Sequence, residues 1–373
     1  MWNPLSFIKN LASPACILWL GFSGCTHTSE LTKAEPSDES AHVAYSVIYY
    51  IHADSDYLFH DSDRVPVRAN KHVLQSAHET AKEARSGEVF IFYQRPETRI
   101  LGLFPRRNSR LYHYINGQLT TRVAYRHPDR REDFLTTEVQ LYNRYRNHSR
   151  DEDRKHYFLF FGHEIPGGKG TNYHRTLPEI QVTTRTFTSG IRNFLHADDT
   201  SFVDDQRFGK DQRFDLVVLS TCNNGTPEMV HYLMPFTDVL LASPQNLHLS
   251  HINPQSISML ERHPVASSLE IARSMADHTF QRLSESLQTT VTLTLYDFEH
   301  IRNYHDELYS LTSANEASGR VNYYQENADC AQFAFFHAEK FGSGVETWFR
   351  PARFGRNTAE NHHSGWGCRQ LDQ

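Results

Sequence analysis

Residues 157–163 read YFLFFGH, and residues 216–225 read LVVLSTCNNG. Each stretch is a short run of aromatic, β-branched and aliphatic residues that stops at small and polar ones. A continuous apolar run of about four to eight residues bounded by turn residues marks a strand buried on both faces. Strands of that kind belong to parallel sheets covered by helices on either side. In such sheets, sites assemble beyond the carboxyl ends of the strands. If the two stretches are parallel neighbours, His163 and Cys222 emerge on the same edge. The 59-residue interval leaves room for a helical crossover.

Working outward, the same pattern recurs. Residues 43–51, 89–93 and 238–242 also read as buried strands, the strand before Cys222 runs over 214–219, and 289–296 reads as a final alternating strand. Residues 70–85 carry apolar side chains at helical spacing and stop before Gly87. Residues 133–147, a short stretch at 187–196, and 329–340 also read as helices. Residues 267–283 open with Ser267 and Glu270 at capping-box spacing. Asn116-Gly117 between two alternating runs in 109–126 predicts a hairpin. The last 30 residues read as irregular. Strands alternating with helices give an α/β fold with a mostly parallel sheet, an inserted β-hairpin and a C-terminal extension. The expected organisation is one domain over 42–312, with 313–373 packed on it.

Composition excludes several classes. A chain of 373 residues that is 39% hydrophobic has material for a large core and is not disordered throughout. A net charge of −6 argues against nucleic-acid binding as the global role. Residues 95–155 are locally basic, with 13 arginines and one lysine against eight acids. A solvated arginine-rich face explains that better than an anionic partner does. The candidate metal and phosphate motifs fail on spacing. Gly167-Gly168-Lys169-Gly170 lacks a P-loop hydroxyl, Asp54-x-Asp56 and Asp61-x-Asp63 lack the rest of an EF-hand, and His248-x-x-His251 has no HExxH context. No metal and no cofactor is expected.

The N-terminus reads as an address. Lys9 supplies a positive charge, residues 11–22 are mostly apolar but too short to span a bilayer, and Ser23-Gly24-Cys25 follows. Small residues before a cysteine resemble the bacterial lipobox. That resemblance implies a signal peptide over 1–24, a lipid anchor on Cys25, a polar tether over 25–41, and a place in the bacterial cell envelope, on the outer membrane or the outer face of the cell membrane. The bland alternative is an ordinary secretory signal cut near Gly24.

A thiol with an ordinary pKa of about 8.5 is mostly protonated at neutral pH and needs a base to become a nucleophile. A histidine and a cysteine, each ending a buried strand in that chain order, supply both. The blocks FFGHEIPGG and DLVVLSTCNNGTPEMV, with the later strand in TDVLLAS and the opening strand ending Ile51-His52-Ala53-Asp54, resemble the caspase-haemoglobinase clan, most closely its clostripain-like bacterial cysteine peptidases. The resemblance covers roughly residues 43–300. It implies a caspase-like α/β/α sandwich and an endopeptidase of protein or peptide substrates, with His163 as general base and Cys222 as nucleophile. It also implies oxyanion or substrate-binding positions at Glu164, Ser220 and Asn223. Two positions depart from the family. Glu164 stands where a glycine usually follows the histidine, and Ser220 stands where an acid usually reads a basic P1 side chain. The rival reading is an inactive caspase-like lipoprotein that serves as a surface-binding or scaffold protein.

Two further expectations follow from that reading. The polar segment 196–213, with Arg207, Lys210 and Arg213, is a candidate for maturation cleavage. With Cys222 reserved for chemistry in an oxidising compartment, Cys330 and Cys368 are left to pair.

Overall fold

Nine described strands share one sheet. In chain order they are β1 (Tyr45–His52), β2 (Gly87–Gln94), β3 (Ser109–Ile115), β4 (Gln118–Tyr125), β5 (Lys155–Phe161), β6 (Leu216–Ser220), β7 (Val239–Ala242), β8 (Val291–Asp297) and β9 (Val345–Arg350). Their spatial order is β9-β8-β7-β6-β5-β1-β2-β3-β4. The computed structural model describes residues 42–54, 58–60, 65–95, 98–100, 104–106, 109–125, 134–147, 154–166, 173, 182–195, 213–247, 252–310, 328–354 and 361–368. These residues belong to one unit spanning 41–373. The N-terminal segment with Cys16 and Cys25 lies outside them, as do the candidate cleavage segment at 196–212 and residues 167–170 and 248–251.

The sheet is mixed, which corrects the expectation of a mostly parallel one. Its centre, β7-β6-β5-β1-β2, is parallel. Its margins are antiparallel, β8 and β9 on one side and β3 and β4 on the other. At the β3–β4 margin the reason is connection length: a tight turn suffices for antiparallel neighbours, whereas a parallel step needs a crossover. The turn between β3 and β4 is Asn116-Gly117, both at positive φ (50° and 78°), the conformation a two-residue hairpin demands.

Helices cover both faces. The helices α1 (Ala69–Glu83), α2 (Thr136–Tyr145), α3 (Thr184–Arg192), α4 (Pro227–Leu233) and α5 (Ser268–Ser286) divide between two cores. The alternation of side chains along β1 shows why. Val47, Tyr49 and Ile51 join a core with Val73 and Ala77 of α1 and Ile271 and Met275 of α5. Ile48 and Tyr50 point the other way, into a core with Tyr142 of α2, Phe187 of α3 and Val230 of α4. α5 begins where its capping box predicts: Ser267 accepts the Glu270 N–H, and Glu270 accepts the Ser267 N–H.

The C-terminal region departs from expectation in two places. Residues 345–350 form β9, an edge strand of the main sheet. Its burial is intermediate at every position, so its alternation carries little contrast. Residues 329–340 do not form a helix. They run as a strand at Ala328–Asp329, two 3-10 turns at Cys330–Gln332 and Ala334–Phe336, and one helical turn at Ala338–Phe341. Tertiary contacts override the helical spacing. Cys330 is tied to Cys368 by a disulfide, with Cα atoms 5.4 Å apart. Phe336 and Phe341 lie 5.4 and 5.1 Å from the ring of Trp366, so the aromatic run wraps one indole.

One arginine of the basic stretch is internal. Arg154, with its side chain 7% exposed, lies 3.6 Å from the fully buried carboxylate of Glu88. The same carboxylate bonds the His113 ring at 2.9 Å and the Asn147 N–H at 2.7 Å. Removing it strands buried donors. Glu88→Ala is expected to destabilise the fold by about 3–5 kcal/mol, read from urea unfolding. A loss below ~1 kcal/mol would show that the network contributes little.

Candidate active site

The pairing of β5 with β6 sets the site. Phe161 stands opposite Ser220 in a parallel register. Carried two residues past the strand ends, that register would bring His163 level with Cys222. The register outlives the strands. The Asn224 amide brackets the Ile165 backbone: Oδ1 accepts the Ile165 N–H at 3.0 Å, and Nδ2 donates to the Ile165 carbonyl at 3.2 Å. Between these contacts and the strand ends, Asn223 Nδ2 donates to Glu164 Oε2 at 2.7 Å. Every one of these pairs is 59 residues apart, as are His163 and Cys222. Side chains thus continue the ladder where the backbone stops, and Asn224 does so at no exposure.

Local sequence shapes each turn. At Gly162 a Cβ would lie 2.8 Å from the Cβ of His52, so only glycine lets the end of β5 pass the end of β1. Asn223 holds φ at +50°, a left-handed conformation that asparagine tolerates better than most residues. The turn then hangs on the loop after β7. The Asn223 N–H donates to the Gln245 carbonyl at 3.0 Å, and those of Asn224 and Gly225 donate to the Ser243 carbonyl at 2.9 and 2.8 Å. That loop is itself tied down. Ser243 Oγ contacts the Gln245 and Thr292 carbonyls at 2.7 and 2.8 Å, and the Thr292 hydroxyl donates to the Gln245 side chain. Cys222 is half-buried, and its Sγ donates to Asn246 Oδ1 at 2.9 Å.

His163 is exposed at its strand end. The packing around its ring still removes enough water to lower its pKa below the ordinary 6.5, and the charge of Asp54 pulls it back upward. Asp54 is buried just past the end of β1. Beside it the His52 ring stacks on Tyr173, centroids 4.6 Å apart. Ser220 is buried, and its hydroxyl accepts the Ile252 N–H at 2.8 Å. Glu164 is half-buried, with its carboxylate on Asn223. The structure therefore gathers His163, Glu164, Cys222 and Asn223 at one edge. Cys330 and Cys368 are bonded to each other. Among the described residues no group of three or more histidine, cysteine or acidic side chains is arranged to hold a metal.

No family model and no curated protein matches the chain. Solved structures do. An inactive zymogen C11 protease from Parabacteroides distasonis matches at 10% identity and TM-score 0.51, over 89% of this chain and 93% of that one. A secreted C11 cysteine protease from Bacteroides thetaiotaomicron, in complex with an irreversible peptide inhibitor, matches at 11% identity and TM-score 0.51, over 83% and 85%. The chain has the fold of the C11, clostripain-family proteases. A third match, the B. thetaiotaomicron C11 protease iotapain, has 12% identity, TM-score 0.46 and coverage of 70% and 68%.

The likeness corrects the expected localisation in the cell envelope. The inhibitor-bound relative is described as secreted. Among the described residues no helix is long and apolar enough to cross a membrane. The short apolar run that suggested an anchor is equally what export requires.

Several site residues escaped the sequence reading. Asp54 was visible at a strand end, but nothing in the sequence ties it to His163. Nothing in the sequence sets Asn224 apart from the turn residues around it, or points to Asn246. The one available signal was the 59-residue offset, which Ile165 and Asn224 share with His163 and Cys222. Asn224→Ala is expected to cost about 1–3 kcal/mol, because it leaves the buried Ile165 N–H and C=O without that partner. Urea unfolding measures this loss, and an unchanged midpoint would refute the clamp.

Proposed function

We propose that the chain is a cysteine endopeptidase acting on proteins or peptides, with Cys222 as nucleophile and His163 as general base. What supports the reading is the β5–β6 register of a C11-type fold, which, carried past the strand ends, brings a histidine level with a half-buried thiol. The bond of Sγ to Asn246 orients the resting thiol.

In the proposed reaction, substrate seats its scissile carbonyl over Cys222. His163 takes the thiol proton as sulfur attacks the carbonyl carbon. The negative charge moves to the carbonyl oxygen, for which the backbone N–H of Glu164 is the candidate donor. The Asn223 N–H is engaged by Gln245, so Asn223 serves through its side chain, holding Glu164. The tetrahedral adduct collapses when the C–N bond breaks and imidazolium protonates the departing amine. Water, deprotonated by His163, then attacks the thioester, releasing the acid and restoring the thiol. The Asp54 carboxylate favours the imidazolium in both half-reactions. The Ser220 hydroxyl is occupied by Ile252 and carries no charge to read a basic P1 side chain.

The test is digestion of a mixed peptide library by wild-type protein and Cys222→Ala. Cleavage by the first and none by the second is the expected outcome. Absence of cleavage by correctly processed wild-type protein would reject the proposal. The pH profile adds a second check. The folded-state pKa of His163 is depressed, so its ring stays neutral, and able to accept a proton, below the ordinary imidazole range. The acid limb of kcat/KM should therefore fall below pH 6.5. Asp54→Asn removes the charge that raises the His163 pKa, and should move that limb further toward acid while lowering kcat. A limb at or above 6.5, or one that Asp54→Asn leaves in place, would contradict the assignment.

A further inference from the structure

The nucleophile turn is held from a second side by the end of the chain. Gly225, three residues after Cys222, offers its carbonyl to the Gly367 N–H at 2.8 Å. The hydroxyl of Tyr296 lies 3.1 Å from that same carbonyl and 2.5 Å from the carbonyl of Gly365. It thus links the turn to the C-terminal segment while donating to one carbonyl at a time. Gly367 also presses on the loop after β7: a Cβ there would lie 2.4 Å from the Pro244 carbonyl oxygen. Pro244 follows Ser243, whose carbonyl receives the Asn224 and Gly225 N–H groups. The segment therefore touches both backbones that carry Cys222 and its partner Asn246.

Its own position is over-determined. Cys368 is bonded to Cys330, and Gly367 and Cys368 pair antiparallel with Asp329 and Ala328. The Asp329 carboxylate accepts the Ser364 N–H at 3.2 Å and the Ser364 hydroxyl. The Cys330 N–H donates to the Trp366 carbonyl at 3.3 Å. Trp366 is fully buried, with its ring 4.9 Å from that of Tyr296. A disulfide and a buried indole hold the segment, and the tied segment delivers its hydrogen bond to the turn that carries the thiol.

We infer that residues 364–368, locked by the Cys330–Cys368 disulfide and bridged by Tyr296, are a positioning strap that fixes Cys222 opposite His163. This rests on the proposed peptidase reading. The strap touches no reacting atom; it acts through Gly225 and Pro244. Misplacing a nucleophile by about 1 Å can cost up to about 100-fold in rate, so small movements of the strap would be felt at the sulfur.

Two variants test it. Tyr296→Phe keeps the ring and removes only the bridging hydroxyl. The double variant Cys330→Ser/Cys368→Ser unties the strap. Each is measured well below its melting temperature for kcat, for KM on a cleaved peptide, and for the rate of Cys222 alkylation by iodoacetamide across pH. A positioning role predicts a kcat lowered about ten-fold or more with KM within about two-fold. It also predicts an altered alkylation rate in protein that remains folded by circular dichroism. Wild-type kcat and alkylation rates in folded Tyr296→Phe, with loss confined to the melting temperature, would overturn the strap and leave it a stability element. If the double variant does not fold, Tyr296→Phe decides alone. If wild-type protein cleaves no peptide, the peptidase reading fails, and alkylation kinetics still report whether the strap holds the thiol in place.

Discussion

The parallel pairing of β5 with β6 is the constraint on which the rest of this molecule depends. Phe161 opposite Ser220 is a backbone fact, but its consequence lies two residues further on, where the strands have ended and the candidate residues begin. Backbone hydrogen bonds hold a register only where there is a ladder. Here the Asn224 side chain takes over that work, bonding the N–H and C=O of Ile165 with one amide. A buried amide of this kind is costly to leave unsatisfied. The arrangement therefore resists slippage at the place where slippage would separate His163 from Cys222.

Around that pair the fold provides support in layers. β1, beside β5, contributes buried Asp54, whose charge is felt at His163. β7, beside β6, is followed by a loop that receives three N–H groups of the nucleophile turn and offers Asn246 to the thiol. β8 supplies Thr292, which ties that loop, and Tyr296, which joins the turn to the chain end. Residues far apart in sequence thus gather around the ends of β5 and β6, each on or just beyond a strand of the one sheet.

Much of the architecture was legible in the sequence because it rests on local pattern. The buried strands at 157–161 and 216–220, the hairpin at Asn116-Gly117 and the capped helix at Ser267 each carry their own signal: an unbroken apolar run, a turn dipeptide, a side-chain cap. Where local pattern and tertiary contact disagreed, contact won. The spacing of Ala331, Phe333, Ala334, Phe335 and Phe336 suggests a helix, yet Trp366 and the tie at Cys330 break it into short turns. Residues 345–350 looked irregular because an edge strand of intermediate burial shows weak contrast, and β8 as partner makes it a strand.

By itself, the sequence determined many of the elements and the two candidate groups that end buried strands, because burial on both faces and strand-end polarity leave a mark in every few residues. It could not determine which strands would be neighbours, that the sheet would turn antiparallel at both margins, that Asp54 would bear on His163, or that Asn246, Tyr296 and Gly367 would converge on one turn. Those are statements about residues brought together across long stretches of chain. No local period encodes such a contact, since it exists only once two hydrophobic faces have closed over the sheet and fixed every register at once.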